Sequence, residues 1–456
     1  MSLLSDLRLA RLLTRGADRL ERRRAALTVL GATAASGFGG AALALAGTAD
    51  GARFPFGNGL LDGAGTRHGV IAALLLLLVP VLGFLGQCAR VGAVHRDRRL
   101  AALRLAGGGP RQVRRIAALE TGGACLVGAL IAAAGFGVGV WRMEPVRGFG
   151  AWNGDTALIA AAAMVVAVPV LGVLVSAFAL RKVVASPLGT VRRQRPGRGP
   201  GPVLGFALPA LVVLAAAALV LLGGRQRSAT WLPLFVIGTV VLTGAAAIWT
   251  AGASARIVGR RLGERTERPD VLLAAHRLQE DPWAASRSHA TLVLVTVVGV
   301  GFAGIAEIFV EGLRRSQAEG TLGMDIGYYS FGLWLTAAAV GVALLISLAG
   351  LAVGTAESLS TRRRALAAQA AAGVPRRVLT RALLLETALP LAPGLVLATA
   401  GGTAIHVAYA FLLHMPVPWG LPLLVPVAVF AVCLLAAATA LPLLTRSLSP
   451  EQLRVA

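Results

Sequence analysis

Ten apolar stretches, each near the ~20 residues an α-helix needs to cross ~30 Å of hydrocarbon, limit what this chain can fold into. They cover residues 25–47, 69–92, 117–141, 156–180, 203–223, 231–252, 289–309, 331–355, 382–410 and 421–443. Inside a bilayer every backbone polar group must find its partner within the protein, and a helix does so within each segment. The composition agrees: 14% of the 456 residues are charged, against roughly a quarter in a soluble domain. The expected class is an all-α polytopic membrane protein, not a soluble enzyme.

Charge placement sets the expected orientation. The net charge is +23, almost all of it arginine, with Lys182 the single lysine. The arginines cluster beside alternate apolar runs: 8–24, 90–115, 181–198, 256–287 and 362–381. The other connections, 48–68, 142–155, 224–230, 310–330 and 411–420, are poorer in arginine. By the positive-inside rule both termini face the cytoplasm and the extracytoplasmic loops are short. Basic residues so placed fix topology and meet anionic lipid headgroups, and no aromatic interleaving suggests a nucleic-acid surface. Leucines at near-helical spacing among the arginines of residues 1–24 predict an amphipathic helix on the cytoplasmic face rather than a cleavable signal. Localisation in a bacterial cytoplasmic membrane follows as an expectation.

Catalytic signatures are missing from the sequence. It has no G-x-x-x-x-G-K-[ST], H-E-x-x-H or G-x-S-x-G, so neither a P-loop nor a zinc or serine hydrolase site is encoded. Cys88, Cys125 and Cys433 fall inside predicted spans without CxxC spacing and read as small packing residues. The expectation is no enzyme activity, no metal and no cofactor bound by this chain.

An internal repeat organises the molecule. Residues 98–117, RRLAALRLAGGGPRQVRRIA, and 363–382, RRALAAQAAAGVPRRVLTRA, share nine of twenty positions at an offset of 265. The matches include Arg98/Arg363, Arg99/Arg364, Gly108/Gly373, Pro110/Pro375 and Arg111/Arg376. A Leu-Glu-Thr triplet follows each, at 119–121 and 385–387. The same offset lays helices two and three over helices eight and nine, which predicts a parallel repeat with a 4 + 2 + 4 arrangement. The boundaries are 1–24 amphipathic helix, 25–188 first four-helix domain, 189–202 Pro/Gly-rich linker, 203–252 central pair, 253–288 connector with an amphipathic segment, and 289–456 second four-helix domain.

The repeated segment predicts a short helix, a sharp turn and a long helix. Leu100 to Ala106 favours helix, Gly107 to Gly109 break it, and Pro110 suits the first turn of the next. Arg111, Gln112, Arg114 and Arg115 decorate the first turn, and Arg376 and Arg377 the second. A basic inner loop that only fixes topology would explain the arginines, but not the recurrence of Gly-x-Pro-Arg at the matching place. Two such protrusions suit a two-fold partner.

The pattern Arg-Arg-x-x-Ala-x5-Gly-x-Pro-Arg, followed by a glutamate-bearing helix, resembles the FtsX-like permease domain of ABC transporters of the MacB-type group. The stretch 277–287, RLQEDPWAASR, resembles the segment before the first helix of such domains. The likeness covers 1–188 and 270–456. It implies two FtsX-like domains in one chain, a separate ATPase homodimer that binds ATP and Mg, and coupling helices docking on it. Carried over, the coupling residues are Arg98, Arg99, Gly108, Pro110, Arg111, Gln112 and Arg114, with Arg363, Arg364, Gly373, Pro375, Arg376 and Arg377. The implied function is ATP-driven export or extraction of a hydrophobic, lipid-like or peptide substrate. An alternative is mechanotransmission or antibiotic sensing without translocation. The loops 48–68 and 310–330 are too short for the large extracytoplasmic domain common in the family.

Three glutamates are candidate transmission or gate residues. Glu120 and Glu386 lie near the cytoplasmic ends of helices three and nine, where a charge needs a partner or water. Pairing with an arginine such as Arg115 or Arg381 is the structural reading, and a hinge contact is the functional one. Glu307, near the outer end of helix seven, is either a snorkelling acid or a substrate contact. Gly135 and Gly139 are expected to form a close-packing face. Pro80, Pro169, Pro390 and Pro393 mark candidate kinks.

Overall fold

A computed structural model describes residues 19–48, 54, 59–88, 105, 107, 109–143, 154–179, 232–280, 282–321, 323 and 326–442. The described residues form eleven helices and no strand. They are α1 (Arg19–Ala46), α2 (Ala64–Cys88), α3 (Pro110–Met143), α4 (Gly154–Ala179), α5 (Leu232–Arg265), α6 (Pro269–Glu280), α7 (Pro282–Ala318), α8 (Ile326–Thr361), α9 (Arg363–Ala371), α10 (Arg376–Leu413) and α11 (Gly420–Ala438). Eight of them, α1, α2, α3, α5, α7, α8, α10 and α11, are long and apolar enough to cross a membrane, and α4 carries a shorter apolar stretch, Leu158–Leu174. This is a multi-pass membrane protein. The predicted span 203–223, the segment 1–18, the linker 189–202, Arg98, Arg99 and Gly108 lie outside the described residues.

One expectation changes. The connection predicted over 310–330 is largely helical, because α7 runs to Ala318 and α8 begins at Ile326. The segment read as a connector, 253–288, is almost wholly helical: α5 continues to Arg265, α6 follows, and α7 starts at Pro282. Arginine-rich sequence reads as a break in an apolar span, yet arginine is a good helix former, so helices overrun the hydrocarbon. At 1.5 Å per residue the 34 residues of α5 reach about 51 Å, roughly 20 Å more than the bilayer core.

The chain divides into two compact units. The first is Met1–Arg193 with Asp325–Ala339, and the second is Gln194–Met324 with Val340–Ala456. In the first, α1 packs on α2, α3 and α4, and α3 packs on α4. Lipid supplies no hydrophobic drive between helices, so close approach through small residues does the work. A Cβ on Gly128 would stand 2.5 Å from the Val29 carbonyl oxygen and 2.8 Å from the Ala32 Cβ. The Thr33 hydroxyl donates to the Val29 carbonyl at 2.9 Å and across to the Gly128 carbonyl at 3.1 Å. Gly135 and Gly139, the expected close-packing pair, have nothing within 4 Å of their added Cβ positions. The tight seam of α3 is therefore about two to three turns earlier than its glycine spacing suggests.

In the second unit α10 packs on α5, α6, α7 and α11. Val240, Ala246, Ala247, Val293, Val297, Leu397, Ala398 and Ile405 make its largest buried cluster, drawn from α5, α7 and α10. Glycines let α10 approach: a Cβ on Gly402 would lie 2.6 Å from the Val300 Cβ and 2.7 Å from the Val297 carbonyl oxygen. All three cysteines are free and buried, as packing residues would be.

Candidate functional site

The second copy of the repeat folds into a helix, a closed turn and a long helix. α9 ends at Ala371, and Gly373 takes φ +87°. The Gly373 N–H donates to the Ala370 carbonyl at 3.0 Å and the Val374 N–H to the Gln369 carbonyl at 3.1 Å. That pair of bonds is a Schellman turn, whose left-handed residue favours glycine. Pro375 follows at φ −62° and ψ 143° as the N-cap of α10, where its missing N–H does no harm. The Gly-x-Pro-Arg motif thus has a local cause: glycine ends one helix and proline starts the next. In the first copy Gly107 has φ +93° and α3 begins at Pro110.

The turn stands on an apolar pad. Leu359 of α8, Leu366 of α9, and Leu379 and Leu383 of α10 are buried together, with Leu273 of α6 and Val374 against them. Above the pad Arg364, Gly373, Pro375, Arg376, Arg377 and Arg381 are exposed, while Arg363 is half-buried. In the first copy Arg111 is exposed and Gln112 half-buried; Pro110 and Arg114 lie in the first turn and a half of α3.

Glu386 lies ten residues into α10 and is held from two sides. Arg362, the N-cap of α9, donates through Nη1 to Oε1 at 2.7 Å. Arg277 of α6 donates through Nη1 to Oε2 at 3.2 Å. The exposed Arg381 is not among these partners. Its counterpart Glu120 on α3, with its side chain 4% exposed, meets Arg24 of α1 at 3.9 Å. Sequence reading found both glutamates through the repeated Leu-Glu-Thr, but it missed Arg24, Arg277 and Arg362. No local spacing joins residues 109 positions apart.

α6 braces the same region. Gln279 Nε2 donates to the Gly259 carbonyl of α5 at 2.9 Å. Asp270 opens α6, 3.2 Å from Arg268 and accepting the Val271 N–H at 3.1 Å. Desolvation pushes its carboxyl up, but the Arg268 hydrogen bond and charge and the backbone N–H bonds outweigh it and hold it below the usual carboxylate range.

Glu307 is placed apart from these, on α7. Its Oε1 accepts the Leu421 N–H at 3.1 Å, satisfying one of the open donors at the start of α11. Comparison with known proteins bears on the helices just described. Residues 337–447 match the FtsX-like permease C-terminal domain. This FtsX-like segment contains most of α8 and all of α9, α10 and α11, hence the Schellman turn, the apolar pad and Glu386. Arg277 and Glu307 lie outside the FtsX-like segment, so part of what holds it comes from α6 and α7. No curated protein matches the chain.

Proposed function

We propose that this chain is the transmembrane subunit of an ABC transporter, driven by a separate ATPase homodimer that binds ATP and Mg. The observation that carries it is the exposed, self-closed turn at 373–377 on a buried pad, inside the segment similar to FtsX-like permeases. Its counterpart at 107–115 is the second docking point. In this reading the arginine-rich ends face the cytoplasm, Arg111, Arg376 and Arg377 meet acidic groups on the ATPase, and Arg363 and Arg364 flank the contact. Glu386 and Glu120 hold the helices behind the turns, so that ATPase closure moves the long helices rather than bending the turn. The cargo is a hydrophobic, lipid-like or peptide molecule, exported or extracted from the membrane.

Co-purification with the cognate ATPase tests this, comparing wild type with Arg111→Glu plus Arg376→Glu. The expected result is that wild type binds and stimulates ATP hydrolysis, while the variant inserts normally and loses both. Equal behaviour of the two would reduce the turns to topology signals.

A further inference from the structure

Several carboxylates of this strongly basic chain are met by arginine. Glu120 has Arg24, Glu386 has Arg277 and Arg362, and Glu264 has Arg260. On α7, Arg314 and Arg315 both turn to Glu311, and Arg315 also reaches the Met415 sulfur. Glu307 is one turn earlier on that face, and no arginine pairs with it among the described residues. One of its oxygens takes the Leu421 N–H, which leaves the other open. Glu307 is half-exposed, so that oxygen is open to a counter-ion arriving from outside.

A second observation lies beside it. Gly304, three residues before Glu307 and therefore on the same side of α7, is the floor for the His406 ring: an added Cβ would stand 2.6 Å from His406 Nδ1. His406 is 0% exposed, and neither ring nitrogen is hydrogen-bonded among the described residues. The Gly402 and Pro418 carbonyls stand near the ring, out of hydrogen-bond geometry. The ring meets Trp419 edge to face, with centroids 6.3 Å apart, and Trp419 is 55% exposed. An interfacial anchor would explain the tryptophan. It would not explain the orphaned imidazole beneath it.

We propose that Glu307, His406 and Trp419 form a site for the ammonium head of a cationic amphipathic molecule. The carboxylate supplies the counter-charge and the exposed indole face takes the alkylammonium by cation–π contact, while the buried imidazole packs edge to face beneath the indole as the floor. Leu421 and Leu424, exposed at the start of α11, give the tail an apolar path. As a substrate site it rests on the transporter reading; as a binding site it stands alone.

The test is equilibrium binding of dodecyltrimethylammonium to the full chain in dodecyl maltoside, against uncharged dodecanol. We expect at least tenfold tighter binding of the cation. Glu307→Gln, which keeps the acceptor for the Leu421 N–H, should lose tenfold or more for the cation and leave the uncharged probe unchanged. Trp419→Leu, at a 55% exposed position, should lose threefold or more, with an unchanged melting temperature as the check that the fold is kept. Equal binding of both probes by wild type, or a cation affinity unmoved in both variants, overturns the site. Neither measurement needs the ATPase. Retained cation binding with failed ATPase coupling therefore keeps the site and ends the transporter reading, and the opposite result does the reverse.

Discussion

Arg277 and Arg362 share one carboxylate, each on its own oxygen: Arg362 Nη1 is 2.7 Å from Glu386 Oε1, and Arg277 Nη1 is 3.2 Å from Oε2. One glutamate thereby fastens α6 and the start of α9 to α10. Glu386→Gln should leave two half-buried guanidinium groups without their anion. We expect a loss on the order of 1–3 kcal/mol, below the ~3–5 of a fully buried pair because the site is partly wet. Thermal melting in detergent reads it. In a double-mutant cycle Arg277→Ala should cost less in the Glu386→Gln background than alone. Equal costs in the two backgrounds would mean that the pair contributes nothing.

Gly373 sits at φ +87°, where an L side chain is strained. Gly373→Ala should destabilise the turn by about 1–2 kcal/mol, and Gly373→Asn by less, since asparagine tolerates this region. If the turn is the docking element, stimulation of the ATPase falls in the same order. A melting temperature identical to wild type for Gly373→Ala would contradict the turn geometry.

Glycines of α3 should differ sharply. Gly128→Ala drives a methyl into the Val29 carbonyl, and overpacking of this kind costs about 1–3 kcal/mol. Gly135→Ala meets open space and should be neutral or stabilising, with a helix-propensity gain of up to about 1 kcal/mol. Parallel melts of the two variants decide it, and a greater loss at Gly135 would invert the assignment of the packed face.

Asp270 should make the chain acid-sensitive at one defined place. Its folded carboxyl titrates below its unfolded value, so its contribution is complete above the ordinary carboxylate value of about 4 and is lost as pH falls through the folded value below that. Asp270→Asn should therefore melt below wild type at neutral pH, with the gap closing only under strongly acidic conditions. A gap that widens on acidification would reverse the sign.

Nine of the ten apolar spans read from the sequence fall on described helices, because length and hydropathy carry that information directly. The turn was legible for a similar reason: Gly373 and Pro375 act locally and announce themselves by type. The helical overhangs of α5 and α7 were not legible, since arginines that end an apolar span do not end a helix. The packed glycine of α3 was misread because spacing shows which residues share a face, and only tertiary structure shows which face is covered. Arg24, Arg277 and Arg362 were missed because ion pairing across helices leaves no periodic trace.

α10 runs for 38 residues, about 57 Å at 1.5 Å per residue, from the exposed turn beside Pro375 to the neighbourhood of His406 and His414, and Pro390 and Pro393 remove two backbone donors from its middle. It carries a handle at one end, an unpaired imidazole near the other and a pair of prolines between them. Pivoting by about 5° near one end would carry the far end through about 5 Å, close to one helical turn. Bending at the two prolines would absorb part of such a swing, so the middle of the helix sets how much of it reaches the far end.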